Sequence, residues 1–187
     1  MNNMNNIYNF WFDTFKNPIK WLSCCKDYDM IISKKYKDIL DKLYDNSISD
    51  NFNNIKECLG TVIMIDQFPR HIYRNTDKAY YFEEIARTIV YNNLENVDKY
   101  NFFENVFFLM PLNHSENIED KVILITIYND MIKKYPEHLV RIERFIKLIK
   151  LRKEVLENYG RYPKRHYRMN CKLNKDETKY INRGGFF

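Results

Sequence analysis

Residues that break helices are scarce in this sequence. Its 187 residues include four glycines and five prolines, which are spread along the chain and form no linker. No apolar run approaches the roughly 20 residues of a membrane-spanning helix. The amino terminus has asparagine where a secretory signal needs a basic and then an apolar segment. We therefore expect one domain, residues 1–187, in a soluble cytoplasmic protein with no membrane partner.

Cysteine is also scarce and is badly spaced for metal binding. The four cysteines (Cys24, Cys25, Cys58 and Cys171) form no Cys-x-x-Cys pair and have no histidine at zinc-finger spacing. Cys24 and Cys25 are adjacent and poorly placed to bond to each other. Reduced thiols in a cytosolic compartment are the simplest interpretation. The sequence thus predicts no metal site and no cofactor.

What the sequence does contain is helical periodicity. Apolar residues recur at helical spacing and no segment alternates over the length of a strand, so the pattern predicts an all-α fold class. Short connections between the helices favour an antiparallel helical array. In the first part of the chain, predicted helices cover residues 29–45, residues 51–67, residues 77–91 with a cap at Asp77, and a segment that begins at a cap at Asp98 and ends at Pro111. In the second part they cover residues 115–135 with a cap at Ser115, residues 137–159 between Pro136 and Gly160, and a short last helix that follows a capping box of Asn174 and Glu177.

The charge of the chain is modestly basic and unevenly distributed. Thirty lysines and arginines exceed 25 acidic residues, giving a net charge of +5, and the excess lies in the last third. Such a balance permits a phosphorylated or RNA partner without requiring one. A solvated helix face is the plainer interpretation of the basic residues. No DNA-binding motif is present.

Asp66 is the most informative acidic residue. Helical spacing places it one turn after Val62 and Ile63, on the apolar stripe. A buried carboxylate is costly unless a cation or several donors satisfy it. Such a pair is either a structural lock on a helix end or part of a pocket in which arginines receive an anionic ligand. The cations that could turn back toward it follow the break at Pro69: Arg70, His71 and Arg74.

A second polar segment, residues 111–116 (Pro-Leu-Asn-His-Ser-Glu), connects two apolar predicted helices. Amide donors at a helix N-terminus attract anions, so a phosphate or carboxylate could bind here. We interpret Ser115 as a cap and not a nucleophile, because no Gly-x-Ser-x-Gly elbow surrounds it. Glu116 can satisfy the helix dipole. His114 could act as general acid or base, oriented by Asp66 or Glu116, although a loop histidine is more often structural.

A metal held by His114, Glu116 and Asp66 is a minor alternative. The spacing His-x-Glu at His114 and Glu116 also occurs in zinc deaminases. Those enzymes need a Pro-Cys-x-x-Cys sequence after it, which this chain lacks, so that assignment fails.

The third polar segment, residues 159–166 (Tyr-Gly-Arg-Tyr-Pro-Lys-Arg-His), alternates basic and aromatic residues after a helix end. This composition suits phosphate contact combined with ring stacking. It is equally consistent with Arg161 and Arg165 satisfying helix carbonyls and buried carboxylates such as Asp66.

The three segments, in this order, resemble a known family. Ile65-Asp66-Gln67-Phe68-Pro69-Arg70 with Tyr73-Arg74, the Pro-Leu-Asn-His-Ser-Glu segment and the Tyr-Gly-Arg-Tyr-Pro segment are similar to the mainly bacterial family called domain of unknown function 924. That family reads Asp-Gln-Phe-Pro-Arg-Asn, then Pro-Leu-x-His-Ser-Glu, then Phe-Gly-Arg-Phe-Pro-x-Arg-Asn. The chain ends also resemble it, through Phe10-Trp11-Phe12, Trp21 and Gly184-Gly185-Phe186.

The resemblance implies a fold and a set of site residues but no settled activity. The fold would be a tetratricopeptide-like right-handed superhelix of about seven helices. Three positions depart from the family pattern: His71 and His166 replace asparagine, and Arg152 stands where a histidine is expected. If that histidine is catalytic in relatives, activity here is in doubt. The family's motif residues correspond to Asp66, Gln67, Arg70, Arg74, His114, Ser115, Glu116, Arg161 and Arg165.

Two functions follow from these patterns. In the first, the protein binds an anionic small molecule bearing phosphate or carboxylate, nucleotides included, and hydrolyses or otherwise transforms it. Asp66, Glu116 and His114 would supply the acid and base chemistry. In the second, it is a non-catalytic scaffold for a protein or RNA, and the motif charges form a buried structural network. The ligand-binding residues of the first hypothesis are Gln67, Arg70, Arg74, Ser115, Arg161 and Arg165.

Overall fold

The computed structural model describes residues 4–14, 26–45 and 48–187. Trp21, Cys24 and Cys25, named above, lie outside these ranges. The chain divides into two compact units, Met1–Pro111 and Leu112–Phe187, which are described separately. Helices and turns make up the described residues of both, with no strand among them, so the predicted all-α class is confirmed. The tetratricopeptide-like superhelix and the single domain stay predictions.

The first unit is built from short helices joined by tight helical turns. A π-helical turn at Ile63–Gln67 connects α3 to α4, and the chain crosses into the second unit within α7. Close approach of α1 to α3 depends on Gly60, where a Cβ atom would overlap the carbonyl oxygen of Met4. The helices are α1 (Met4–Asn9), α2 (Lys26–Leu43), α3 (Ile55–Val62), α4 (Phe68–Ile72), α5 (Glu83–Asn92), α6 (Phe102–Phe108) and α7 (Met110–His114).

An aromatic cluster forms the centre of the first unit. The indole of Trp11 lies 5.8 Å from the ring of Phe68 and 5.2 Å from that of Phe107, between ring centroids. Tyr36 of α2 packs on the same Phe68 ring at 4.7 Å. Large rings contribute much of the apolar area that a small unit can bury. The apolar stripes predicted for α2 and α3 are buried at Ile32, Tyr36, Leu40, Leu59, Val62 and Ile63.

The second unit contains a long helical hairpin followed by two short helices. It consists of α8 (Ile118–Lys134), α9 (Leu139–Tyr159), α10 (Pro163–Arg168) and α11 (Lys175–Asn182). The rings of Tyr128 and Phe145 stack at 5.5 Å, which pairs α8 and α9 in opposite directions about the turn at Pro136–His138. α10 packs against α11. No described helix is long and apolar enough to cross a membrane.

Helix ends were predicted with mixed success. The left-handed cap at Gly160, with φ of 70°, and the capping box of Asn174 with Glu177 are confirmed. The predicted cap at Asp98 is wrong, because Asn101 caps α6 through a full capping box. An asparagine can accept the same amide hydrogen bonds as an aspartate.

Three other predicted helix boundaries are also wrong. Asn117, and not Ser115, caps α8, since the Ser115 hydroxyl is turned into the unit. Pro111 does not end a helix but lies in the first turn of α7, where its missing amide hydrogen costs nothing. Asp77 belongs to a short 3-10 turn, Asp77–Tyr80, and the helix after it begins only at Glu83.

Candidate functional site

Asp66 lies inside the first unit, as its spacing predicted. Its side chain is 0% exposed, and the π-helical turn buries every residue from Ile63 to Gln67. Gln67 Nε2 donates to one carboxylate oxygen at 2.5 Å and Arg70 Nη2 donates to the other at 3.3 Å. Both partners are near in sequence, so the carboxylate is satisfied by its own helix end. π-Helical turns recur at functional sites, which makes this one notable.

Arg70 joins two carboxylates. The same Nη2 atom that contacts Asp66 lies 3.2 Å from Glu83 Oε2 on α5, and the guanidinium lies 5.0 Å from the ring of Tyr80. Burial lowers the pKa of Arg70, but the two carboxylates raise it further, so the net pKa lies above its ordinary value. Nε of Arg70 is buried and has no hydrogen-bond acceptor among the described residues.

A second acidic centre in this unit is Asp29 of α2, which sequence reasoning missed. Arg74 Nη2 lies 2.7 and 2.9 Å from its two oxygens, and His71 Nδ1 lies 2.7 Å from the first. Burial raises the pKa of Asp29, but the bonds from Arg74 and His71 outweigh it and the net pKa is lowered. Burial lowers the pKa of His71, which favours its neutral form. The partners lie 42 and 45 residues apart, so no local sequence signal could have linked them.

In the second unit, Glu116 brings the second and third motifs together. Its Oε1 accepts the backbone amide of Tyr162 at 2.8 Å, and its Oε2 lies 3.0 Å from His166 Nε2. Arg165 Nη1 forms a longer ion pair with Oε1 at 3.7 Å. Tyr162 is the residue before α10, so Glu116 satisfies the N-terminus of α10 and not that of α8. Assembly of the first motif with these two stays a prediction.

Two basic side chains of the second unit donate hydrogen bonds to the carbonyl groups at the C-terminal end of α7. Arg165 Nη2 donates to the carbonyl of His114 at 2.5 Å, and Lys121 Nζ donates to the carbonyls of Leu112 and, at 3.1 Å, Asn113. Carbonyls at a helix C-terminus lack partners within the helix and attract positive charge. His114 itself is half-buried at this helix end.

Ser115 belongs to a buried polar cluster with Asp120 and Lys121. Its hydroxyl donates to Asp120 Oδ2 and lies 3.2 Å from Lys121 Nζ. Exposure is 1% for Ser115 and 0% for both charged residues. Sequence reasoning missed this cluster. The Ser115 hydroxyl therefore lies between a buried carboxylate and a buried ammonium group.

Arg161 forms a bidentate ion pair with Glu177 of α11. Its Nε and Nη2 bind the two carboxylate oxygens at 2.5 and 2.9 Å, and Nη2 also donates to the Lys172 carbonyl at 3.0 Å. Hydrogen bonding from Arg161 is the largest cause that lowers the pKa of Glu177, to about 2. Arg152, at the position of the expected histidine, lies 4.2 Å over the ring of Phe187 and 5.3 Å over that of Tyr162.

The cysteines and the described cavity lie apart from the predicted site residues. Among the described residues no group of three histidine, cysteine or acidic side chains could hold a metal ion. Cys58 is buried, which raises its pKa to about 12, and Cys171 is exposed. A surface cavity of about 450 Å³ in the second unit includes none of the predicted site residues; its lining includes Tyr159, Lys179, Tyr180, Arg183 and Phe186.

Comparison with known proteins identifies relatives but no activity. The sequence model of a family described as a bacterial protein of unknown function, DUF924, matches residues 7–185. The fold is similar to that of a protein of unknown function from Agrobacterium tumefaciens, with a TM-score of 0.75, 20% identity and 97% of both chains covered. None of the curated proteins matches the chain significantly. At this identity the structural likeness concerns the fold alone.

Proposed function

Because the chain belongs to the DUF924 family of bacterial proteins of unknown function, we propose its function from the geometry of its charges: a non-catalytic helical scaffold whose motif residues join helices. One observation carries this proposal. The motif carboxylates are already matched by cations or amides of their own unit, as Arg70 matches Asp66 and Arg165 and His166 match Glu116. Charges so engaged stabilise a fold and leave little binding energy for a ligand.

The positions of the pairs fit this role. Arg70 connects α5 to the turn before α4, and Arg74 with His71 connects α2 to the residues around α4. Glu116 connects the start of α8 to α10, and Arg161 precedes α10 and binds α11. Each pair therefore joins segments that are distant in sequence. Breaking the Arg70–Asp66 pair leaves a carboxylate that is 0% exposed without its cation, which costs about 3–5 kcal/mol.

Replacement of Arg70 tests the proposal. Arg70→Gln should lower the free energy of unfolding by about 3 kcal/mol, because Asp66 loses its cation in a fully buried position. The matched control is Lys37→Gln, which breaks the Lys37–Asp41 pair, with side chains 46% and 36% exposed. Exposed pairs contribute about 0–1 kcal/mol. Urea unfolding followed by circular dichroism measures both, and equal small losses would overturn the scaffold proposal.

A second candidate, binding of a small anion at Arg70, is favoured by the buried Nε of that residue. A buried donor without an acceptor calls for a partner such as a bound anion or water. Asp66 would then supply the acid or base group of a hydrolase within the first unit. Native mass spectrometry of the purified chain should find a retained phosphate or carboxylate ligand, and Arg70→Gln should remove it. If the purified chain retains no ligand and also fails to bind added inorganic phosphate in calorimetry, binding of phosphate at Arg70 is excluded.

A further inference from the structure

The excess positive charge of the chain lies in its C-terminal part, which includes one strongly basic stretch. Residues 133–154 contain eight of the 30 lysines and arginines and three of the 25 acidic residues. This stretch therefore carries a formal charge of +5. Residues 155–187 carry another +5, from eight basic and three acidic residues, and residues 1–132 carry −5. Most of the stretch is α9. A charge excess concentrated along one helix is typical of a surface that binds nucleic acid.

Exposed basic side chains extend along the solvent side of α9. Arg141, Arg144, Lys147 and Lys150 are all exposed and follow one another every three residues, which is about 4.5 Å of helix axis per step. Among the residues that the structure describes, Arg144, Lys147 and Lys150 make no hydrogen bond or ion pair. In this they differ from the motif arginines, whose guanidinium groups are engaged within the fold.

The other side of α9 is buried, which limits what the helix can bind. Ile142, Ile146 and Ile149 lie in the core of the second unit, where α9 packs against α8. A helix that binds a lipid surface inserts its apolar side, and here that side is occupied. The exposed apolar residues of α9 are Leu139, Val140 and Leu151, and a few such residues are normal on the surface of a soluble protein. Charge is thus the main property that this surface offers.

We propose that the exposed side of α9 binds the sugar–phosphate backbone of a nucleic acid, with Arg144 and Lys147 at the centre of the contact. The inference rests on the proposed scaffold function and names the partner of that scaffold. A phosphodiester backbone supplies a continuous row of negative charges, which matches the exposed cations Arg144, Lys147 and Lys150 along one helix. Binding through the backbone alone is independent of base sequence.

Fluorescence anisotropy with the full chain tests the proposal. The probes are a single-stranded RNA and a duplex DNA of about 20 nucleotides per strand and mixed sequence. Affinity for single strands should fall with added salt with a slope of about −0.7 per contacted phosphate, or about −3 for four contacts. The double variant Arg144→Gln/Lys147→Gln should weaken binding about tenfold or more and reduce the slope by about 1.4. Glutamine keeps helix propensity at both exposed positions.

The matched control removes two charges elsewhere. Lys34 and Lys175 are exposed and lie outside the basic stretch, so Lys34→Gln/Lys175→Gln should retain the affinity of the unaltered chain within about twofold. Equal weakening by both double variants would show that overall charge, and not α9, binds the probe, and would overturn the assignment. So would absence of binding at about 50 mM salt, or tighter binding to phosphatidylserine vesicles than to either nucleic acid. None of these outcomes affects the unfolding test of Arg70, so failure of this inference is distinct from failure of the scaffold.

Discussion

His166 Nε2 lies 3.0 Å from Glu116 Oε2, although the two residues are 50 positions apart. Both side chains are mostly buried, and Glu116 also accepts the amide hydrogen that precedes α10. One carboxylate therefore holds the start of α10 and the histidine one turn later. The contact joins two motifs that the sequence shows only as separate segments.

Removal of the Glu116 carboxylate should destabilise the second unit more than replacement of its histidine partner. Glu116→Ala should cost about 2 kcal/mol, because the Tyr162 amide and Arg165 lose a charged acceptor together. His166→Asn should cost less than about 1 kcal/mol, since an amide can donate to the same oxygen. Urea unfolding measures both. A larger loss for His166→Asn would mean that the histidine ring, and not the carboxylate, organises this contact.

Lys121 should be among the least replaceable charged residues. Lys121→Met removes the buried cation that donates to the carbonyls of Leu112 and Asn113, and should lower the free energy of unfolding by about 2–3 kcal/mol because both carbonyls lose a charged donor. Lys133→Met, on the exposed side of the same helix, should change it by less than about 0.5 kcal/mol. Thermal unfolding of the two variants beside the unaltered chain is sufficient. Similar midpoints would contradict the described cluster.

Glu177 should make stability sensitive to acid. Its pKa in the fold is about 2, against an ordinary value of 4.5, chiefly because Arg161 donates to it. A lowered carboxyl pKa stabilises the fold above pH 4.5, and this contribution is lost as the pH falls from about 4.5 toward 2. Glu177→Gln should flatten this part of the stability profile, whereas Asp176→Asn, at an exposed neighbour, should leave it unchanged. Urea midpoints between these pH values give the comparison.

His71 should contribute a second pH dependence at milder acidity. Burial holds its pKa below 6.5 in the fold, so the unfolded chain binds more protons just below that pH. Stability is therefore full above pH 6.5 and declines as the pH falls through the lowered pKa. His71→Asn, which restores the residue expected from the family pattern, should remove this decline, and His138→Asn should not. Melting temperatures measured from about pH 7.5 downward test this prediction. If the decline in His71→Asn is as steep as in the unaltered chain, the assignment to His71 is wrong.

Two glycine substitutions should differ because their surroundings differ. Gly60→Ala places a methyl group against the backbone of Met4 and should cost about 1–3 kcal/mol while displacing α1. Gly160→Ala meets open space and should cost about 1 kcal/mol, only because its φ is positive. Unfolding free energies, with Trp11 fluorescence as a report on α1, separate the two. Equal costs would contradict the close approach at Gly60.

Local patterns determined much of the fold. The all-helical class, the apolar stripes of α2, α3 and α9, the left-handed Gly160 and the last capping box follow from interactions within a few residues. Burial of Asp66 followed from spacing alone. Predicted helix boundaries were wrong where several nearby residues could cap the helix, as Asn101 does in place of Asp98. A cap needs only one suitable side chain, and asparagine-rich sequence offers several.

Partners across the chain were decided only by the tertiary structure. Nothing near Asp29 in sequence indicates that His71 and Arg74 will bind it, or that Glu116 will hold the start of α10. A charge pairs with whatever cation packing brings within a few ångströms, and the energy depends on how much water is excluded there. The sequence by itself thus determined the helices, their apolar faces and the burial of Asp66, because these follow from spacing within a few residues. Packing determined which charges pair across long stretches of sequence, because only the folded chain brings them together.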